Sequence, residues 1–266
     1  MNVAGAFLKR DYLIASSYKA DFLSQIVGIL VTVPAIYFLS RMYGSGGAAL
    51  AARYGGNPFS FLLLGIAFTD YQNLSLRTFN ASLRESQLMG TLETILLSPT
   101  SIRGLLFYSS LWGYLLTTLR FAIFLALGLA FGLELGHANL PAALGILVLA
   151  VIAFAALGVL IAAATLVIKR GEFLIMGVTL GSGLLGGVLF PTASLPGGLR
   201  ALAHLVPMTA ALEGMRLALV HGYSVAQLAP QYLELALFAA ILVPLSLFAF
   251  GRAIRWTKAA GTLGQY

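Results

Sequence analysis

The chain contains no cysteine. Disulfide bonds, thiolate nucleophiles and cysteine-bound metals are therefore excluded, and cysteine usage carries no information about the redox compartment. Charge is scarce too: 9% of the residues are charged, against roughly a quarter in soluble domains, while 59% are hydrophobic. A water-soluble protein of this composition would lack the polar groups to cover its surface, whereas lipid-facing side chains need none. The composition predicts an integral membrane protein.

Motifs for nucleotide, metal and hydrolytic chemistry are also missing from the sequence. No lysine lies in a G-x-x-x-x-G-K-[ST] loop, and neither H-E-x-x-H nor G-x-S-x-G occurs. His137, His204 and His221 lack metal-ligand spacing and are interpreted as ordinary loop or interface residues. We expect no cofactor and no catalytic or metal site in this chain. An intramembrane enzyme with a scattered site remains an alternative.

Apolar runs long enough to cross a membrane recur along the chain. A hydrocarbon core of ~30 Å needs about 20 helical residues. The six predicted spans cover residues 22–40, 58–80, 104–133, 140–168, 173–189 and 231–251. The third is long enough to tilt or to project beyond the bilayer. Because no A-x-A-like site follows residues 22–40, we expect a retained span there rather than a cleaved signal.

Two segments between the predicted spans do not have the pattern of a membrane-spanning helix. Residues 44–56 are rich in Gly and Ala and are predicted to form an external loop. Residues 191–230 contain four prolines, which makes them too interrupted for a span, yet they are too apolar for an ordinary loop. Irregular backbone at membrane depth needs protein or water around it, so we expect re-entrant or short external helices there.

The basic residues predict the orientation. The net charge is +7, and the basic residues lie at the ends of apolar runs. This pattern indicates membrane topology rather than nucleic-acid binding. On the side of the termini lie Lys9, Arg10, Lys19, Arg77, Arg84, Arg103, Lys169, Arg170, Arg252, Arg255 and Lys258. On the other side lie Arg41, Arg53, Arg200 and Arg216. The positive-inside rule therefore predicts that both termini are cytoplasmic.

Asp70 and Arg120 lie in apolar surroundings within predicted spans, where a charge is costly and usually faces a bundle interior or a cavity. One hypothesis pairs Asp70 of the second span with Arg120 of the third, beside a transport path. The alternative places either residue near an interface, where its side chain reaches water.

The fifth span carries four glycines at G-x-x-x-G spacing: Gly177, Gly181, Gly183 and Gly187. Such small-residue ridges permit close helix approach, either at a dimer or gate interface or within one subunit. Further on, Glu213 and Arg216 are three residues apart on a predicted short helix, where a local ion pair is the simplest interpretation.

Residues 84–99 predict an amphipathic helix between spans two and three. Its apolar stripe consists of Leu88, Met89, Leu92, Ile95 and Leu96. Away from this stripe lie Arg84, Glu85, Thr91 and Glu93, and the pair Ser98-Pro99 ends the helix. The topology places this helix on the cytoplasmic side. It either docks to a partner or rests on the lipid surface.

Within this helix, Gly90-Thr91-Leu92-Glu93 and Leu96-Leu97-Ser98-Pro99 resemble the G-T-L-E-x-L-L-x-S-P signature of ABC-2 type permeases. Other parts of the family pattern recur along most of the chain. They are Lys9-Arg10-Asp11 through Tyr18-Lys19, Phe190-Pro191, Leu195-Pro196, and Pro207-Met208-Thr209 through Glu213 and Arg216. The signature is closer to that of drug and lipid exporters of the daunorubicin-resistance type than to that of O-antigen exporters.

The resemblance implies an ABC exporter permease. Residues 1–21 would form a cytoplasmic amphipathic interface helix, residues 22–258 the transmembrane domain, and residues 259–266 a cytoplasmic tail. The residues that would contact a separate ATPase subunit, which would bind ATP and Mg, are Arg84, Glu85, Leu88, Leu92, Glu93 and Leu96. Those near an external gate would be Phe190, Pro191, Glu213 and Arg216.

The resemblance further implies a multi-pass protein of the cell inner (plasma) membrane that works with a second copy or a close homologue. Its partners would be the ATPase, that second permease and membrane lipid, with no nucleic acid. The substrate would be amphipathic and lipid-like or drug-like. A polysaccharide or glycolipid exporter of the same fold is one alternative. An ion-coupled carrier or an intramembrane enzyme is another, from a different class.

Overall fold

The computed structural model describes residues 5, 8–13, 19–42, 57–88, 102–135, 137–168 and 171–259. Every regular element among these residues is helical. We number the longer helices α1 Lys19–Met42, α2 Pro58–Leu88, α3 Ile102–Ala130, α4 Leu140–Ile168, α5 Gly171–Leu185, α6 Gly197–Ala203, α7 Pro207–Val220 and α8 Ala229–Ala259. A 3₁₀ turn, Thr192–Ser194, lies between α5 and α6, and residues 8–13 are also helical.

Four helices in the described part of the chain are long and apolar enough to cross a membrane. The segments are Leu23–Met42 of α1, Ser110–Ala130 of α3, Leu140–Ile168 of α4 and Ala229–Thr257 of α8. They coincide with predicted spans one, three, four and six, and they give the chain the character of a multi-pass membrane protein. Helix α5 is apolar but has only 15 residues. Helix α2 has 31 residues, but its second half is polar.

Helix α2 occupies the centre of the bundle, and its first half is buried on all sides. Leu63, Leu64 and Phe68 of this half are 0% exposed. Helix α3 runs antiparallel to α2, because the side-chain amide of Asn57 at the start of α2 donates 3.1 Å to the carbonyl of Gly132, just past the end of α3. Helix α4 packs against another side, where the rings of Phe68 and Phe154 lie 6.2 Å apart.

Helices α4 and α8 run parallel to each other over their whole length. Near their first turns, the Tyr232 hydroxyl donates 2.7 Å to the carbonyl of Ala142. Near their last turns, Phe250 and Ala253 of α8 share a buried cluster with Ala163 of α4. Both helices therefore end on the same side of the bundle.

The helix ends differ from the predicted span boundaries. Helix α1 covers Lys19–Met42 and α8 extends to Ala259, both beyond the predicted residues 22–40 and 231–251. Helix α2 continues to Leu88 instead of stopping at residue 80, so the first residues of the predicted amphipathic helix prolong α2. Helix α3 ends at Ala130, because Gly132 takes a left-handed conformation (φ 96°). Helix α5 ends at Leu185 instead of residue 189, because Gly187 does the same (φ 74°). The proline-rich segment 191–230 contains the short helices α6 and α7.

Candidate functional site

A polar segment in the middle of α2 is bonded to α3 on one side. We define the polar segment as Asp70, Tyr71, Gln72, Asn73 and Ser75. The Tyr71 hydroxyl donates 3.1 Å to Oγ1 of Thr118, and the Ser75 and Tyr114 hydroxyls share a hydrogen bond of 2.7 Å. Both contacts join α2 to α3, in step with the antiparallel packing of the two helices.

The same segment is bonded to α5 on its other side. The buried side-chain amide of Gln72 donates 2.6 Å to the Ser182 hydroxyl, and the Thr179 hydroxyl donates 3.2 Å to Oδ1 of Asn73. Interhelical hydrogen bonds of this kind contribute about 0.6 kcal/mol each in a membrane protein. The polar segment is therefore held between α3 and α5 by several modest bonds.

Asp70 and Arg120 lie on neighbouring helices, and both are half-buried. Arg120 donates 3.0 Å from Nη2 to Oγ1 of Thr117, while its Nε meets no hydrogen-bond acceptor among the described residues. The charge of Arg120 acts on Asp70, yet the two are absent from the ion pairs formed within the described chain. The structure therefore places the two predicted residues on neighbouring helices, and they form no ion pair within the described part of the chain.

Arg216 of α7 is 2% exposed and is directed at backbone carbonyl groups. It donates 2.7 Å to Gly187 and 3.3 Å to Val188, in the buried turn that follows α5, and 2.8 Å to Phe61 of α2. Its guanidinium also lies 3.5 Å from the centre of the Phe61 ring. Since a helix end leaves carbonyl groups without intrahelical partners, Arg216 supplies donors where the chain turns inside the protein. We call this arrangement the Arg216 clamp.

A glycine on α2 makes room for the Arg216 clamp. A Cβ added at Gly65 would lie 2.5 Å from the Val188 carbonyl oxygen and 2.8 Å from Nη2 of Arg216. Helix α2 can therefore approach the turn closely only because residue 65 has no side chain. Three elements that are distant in sequence meet at this point: α2, the end of α5, and α7.

The structure places the predicted external-gate residues around this clamp. Pro191 is buried and Phe190 is half-buried, directly after the turn that Arg216 holds. Glu213 is half-buried on α7, one helical turn before Arg216. Sequence reasoning missed Gly65, the clamped carbonyl groups and the hydroxyl groups that meet the polar segment. The available signal was Gly186-Gly187 shortly before Pro191, which favours a turn at that point.

Helix α5 presents an exposed apolar stripe, which we define as Phe173, Met176, Gly177, Leu180, Gly181 and Leu184. The four large side chains of this stripe are more than half exposed. A Cβ added at Gly177, Gly181 or Gly183 would meet nothing within 4 Å. These three glycines therefore serve no packing within one described chain, and Gly187 belongs to the clamped turn instead.

The predicted ATPase-contacting residues lie at and beyond the end of α2. The backbone of Arg84, Glu85 and Leu88 forms the last turns of this helix. Leu92, Glu93 and Leu96 lie outside the described residues. Helix α2 thus joins the polar segment to the start of the predicted contact region.

Comparison with known proteins adds one finding. The sequence profile of a family described as ABC-2 family transporter protein matches residues 76–248, which is more than half of the chain. The match extends from the second half of α2 into α8. It includes the α5 stripe, Arg216 and the turn at Gly187 and Val188, whereas Phe61 and Gly65 precede it. A search of the curated proteins finds no match.

Proposed function

Because this chain belongs to the ABC-2 family of transporter proteins, we propose that it is the permease subunit of an ABC exporter with six membrane spans. The packing supports α2 as the second span, since α2 lies between α3 and α5 and its polar side chains bond to both neighbours. Polar groups inside a membrane are tolerated when they face the bundle in this way. Helix α5, extended by the buried turn at Gly187, would form the fifth membrane span.

Energy would enter through the cytoplasmic segment 84–99. Its apolar stripe would seat Leu88, Leu92 and Leu96 in a groove of a separate ATPase subunit, with Arg84, Glu85 and Glu93 making directional polar contacts. ATP and Mg would be held by that subunit. The continuity of α2 from the polar segment to Leu88 carries this proposal, because docking movements would reach the bundle interior through one helix.

Two copies of the permease would meet through the α5 stripe. The stripe is apolar, it is exposed in the single chain, and its glycines leave space for a close helix partner. In this arrangement the polar segments of both copies would lie one helix away from the dimer interface. Asp70 and Arg120 would flank the transport path, and the loop at Phe190 and Pro191 would lie at its outer end.

The substrate we propose is amphipathic and lipid-like or drug-like, as for exporters of the daunorubicin-resistance type in the inner membrane. The predicted spans are rich in Phe, Leu, Tyr and Gly, and a path lined by such residues would suit these molecules. A glycolipid or polysaccharide substrate is the second possibility within the same class.

Reconstitution tests the proposal. Liposomes containing the permease and its ATPase should export a fluorescent lipid analogue only with ATP. Glu93→Ala should lower this export by about tenfold, as expected for loss of a coupling contact, while co-purification of the ATPase weakens. Glu134→Ala is the matched control, because Glu134 is exposed beyond α3, far from the docking segment in the chain. Transport by the permease alone, independent of ATP, would show that the chain is a carrier of another class.

A further inference from the structure

A groove lies between the last turns of α4 and α8, outside the polar segment and the Arg216 clamp. We define the α4–α8 groove by Leu160, Ala164 and Val167 on α4 and by Leu245, Phe248 and Trp256 on α8. Its volume is about 820 Å³, within the range of pockets that hold small molecules. Small alanines and large apolar side chains both line it. An acyl chain is the kind of group that such a surface accommodates.

The mouth of this groove is basic. Arg252 and Arg255 line it, and both are exposed. They are three residues apart on α8, which places their guanidinium groups on one face of the helix. Neither takes part in an ion pair or a hydrogen bond found among the described residues.

No acidic residue at this end of the two helices offsets the charge. Helix α4 contains no Asp or Glu, and α8 contains only Glu234, near its opposite end. In the sequence, Lys169 and Arg170 follow α4, and Lys258 follows Arg255. The charged residues that line this apolar groove are therefore both basic.

A second groove is also lined by an arginine, but that arginine is bonded to its own helix. It measures about 400 Å³ and lies between the end of α1 and the start of α2, with Arg41 on its wall. There the guanidinium of Arg41 donates 2.9 Å to the Tyr37 hydroxyl and lies 5.3 Å from the centre of the Tyr37 ring. Arg41 is therefore held by its own helix, whereas Arg252 and Arg255 face outward.

We propose that the α4–α8 groove binds an acidic phospholipid of the cytoplasmic leaflet. One acyl chain would lie along Ala164 and Phe248, and the phosphate would be held between Arg252 and Arg255. Trp256 would sit at the level of the headgroup, where indole rings are favoured. Basic pockets between helices on the cytoplasmic side recognise anionic headgroups by this combination of groove and charge. This site is separate from the proposed transport path.

Fluorescence quenching tests the site. The chain has two tryptophans, so Trp112→Phe leaves Trp256 as the only reporter, directly in the groove. The full-length variant is reconstituted in phosphatidylcholine liposomes that contain increasing amounts of phosphatidylglycerol with brominated acyl chains. A second series uses brominated phosphatidylcholine. Half-maximal quenching of Trp256 should need a lower fraction of brominated phosphatidylglycerol than of brominated phosphatidylcholine. The ratio of the two fractions should be about fivefold for each arginine involved.

Variants distinguish lipid binding in the groove from attraction of lipid by general surface charge. Arg252→Gln with Arg255→Gln should abolish the preference, whereas Arg252→Lys with Arg255→Lys should retain most of it. Arg41→Gln with Arg200→Gln removes two arginines from the opposite side and should leave the preference unchanged. Ala164→Phe fills the groove with all charges in place, and it should reduce the preference. Val148→Phe is its control, because Val148 is 57% exposed and lies outside the groove.

Three results would overturn the proposal. Equal quenching by the two brominated lipids would show that the groove has no headgroup preference. A preference that survives Ala164→Phe would reflect surface charge alone. Absence of quenching by either lipid would show that protein, either a second copy or another segment, covers Trp256.

Discussion

Arg216 donates a hydrogen bond of 2.7 Å to the carbonyl oxygen of Gly187, a residue 29 positions earlier in the chain. This bond joins α7 to the end of α5 at a point where the backbone turns inside the protein. The same guanidinium also reaches Phe61, so that α2 is tied to the turn as well. A single buried cation therefore holds together the end of the helix that we propose as the dimer interface.

Loss of this cation should destabilise the protein markedly. Arg216→Met keeps the apolar stem but removes the donors, and buried carbonyl oxygens would then lack partners. We expect the free energy of unfolding to fall by roughly 3 kcal/mol, measured through the unfolding of the purified protein in detergent. Arg216→Lys should recover only part of this loss, because one ammonium group cannot reproduce the planar fork of donors. Equal stability of Arg216→Met and the parent protein would contradict the role of the clamp.

The space at Gly65 gives a second, independent test of the same junction. Gly65→Ala places a methyl group against the Val188 carbonyl, so we expect a loss of about 1 to 3 kcal/mol in unfolding free energy from overpacking. Gly251→Ala is the matched control, because Gly251 also lies in a helix but has open space around it. That variant should be neutral or slightly more stable, since alanine favours helix more than glycine does. Both are measured by thermal unfolding under the same conditions.

The α5 stripe predicts a defect in assembly without a defect in folding. Gly177→Leu or Gly181→Leu places bulk where a partner helix would approach, so the dissociation constant of the permease dimer should rise by roughly tenfold. The unfolding temperature of the monomer should stay the same, because a Cβ at either glycine would meet no other atom of the described residues within 4 Å. Gly28→Leu, on α1, is an equally open control that should leave the dimer intact. Cross-linking in liposomes over a range of protein densities measures the change.

Asp70 and Arg120 are predicted to act in transport. Asp70→Asn and Arg120→Gln should each lower ATP-driven export by about tenfold, because each removes one of two charges that influence each other inside the bundle. Arg77→Gln is the control, since the ion pair of Arg77 with Glu172 is long (3.7 Å) and exposed and contributes little. If Asp70→Asn and Arg120→Gln both transport and assemble normally, these charges do not line the path.

Part of this architecture is predictable from the sequence for clear physical reasons. Long apolar runs identify α1, α3, α4 and α8, because a bilayer imposes a minimum length and hydrophobicity on any helix that crosses it. The family resemblance found in residues 84–99 agrees with the profile match, although most of that segment lies outside the described residues. Asp70 and Arg120 stand out as charges in apolar surroundings, and the structure places them on adjacent helices.

The rest of the fold and of the candidate site is not predictable in this way, because it depends on contacts between residues that are distant in sequence. Spacing alone reveals only neighbours on the same helix, so for Arg216 it predicts a local pair with Glu213 and no contact with a distant element. Its bonds to Gly187 and Phe61 arise from the packing of three elements. The hydroxyl groups of Tyr114 and Ser182 likewise meet the polar segment only after folding. Glycine spacing on α5 could not separate packing within one chain from packing between two, since both require a small residue.

The uninterrupted course of α2 has a mechanical consequence. Its 31 residues extend about 46 Å at 1.5 Å per residue, whereas α1 and α8 each contain an internal proline, Pro34 and Pro244. Between Asp70 and Leu88 there is neither proline nor glycine, the residues at which helices most often kink. A movement of Leu88 caused by docking would therefore displace Asp70 as well, because the two residues belong to one rigid helix. Because α2 packs closely at Gly65 against the turn that Arg216 holds, we expect its other end to move more than this one.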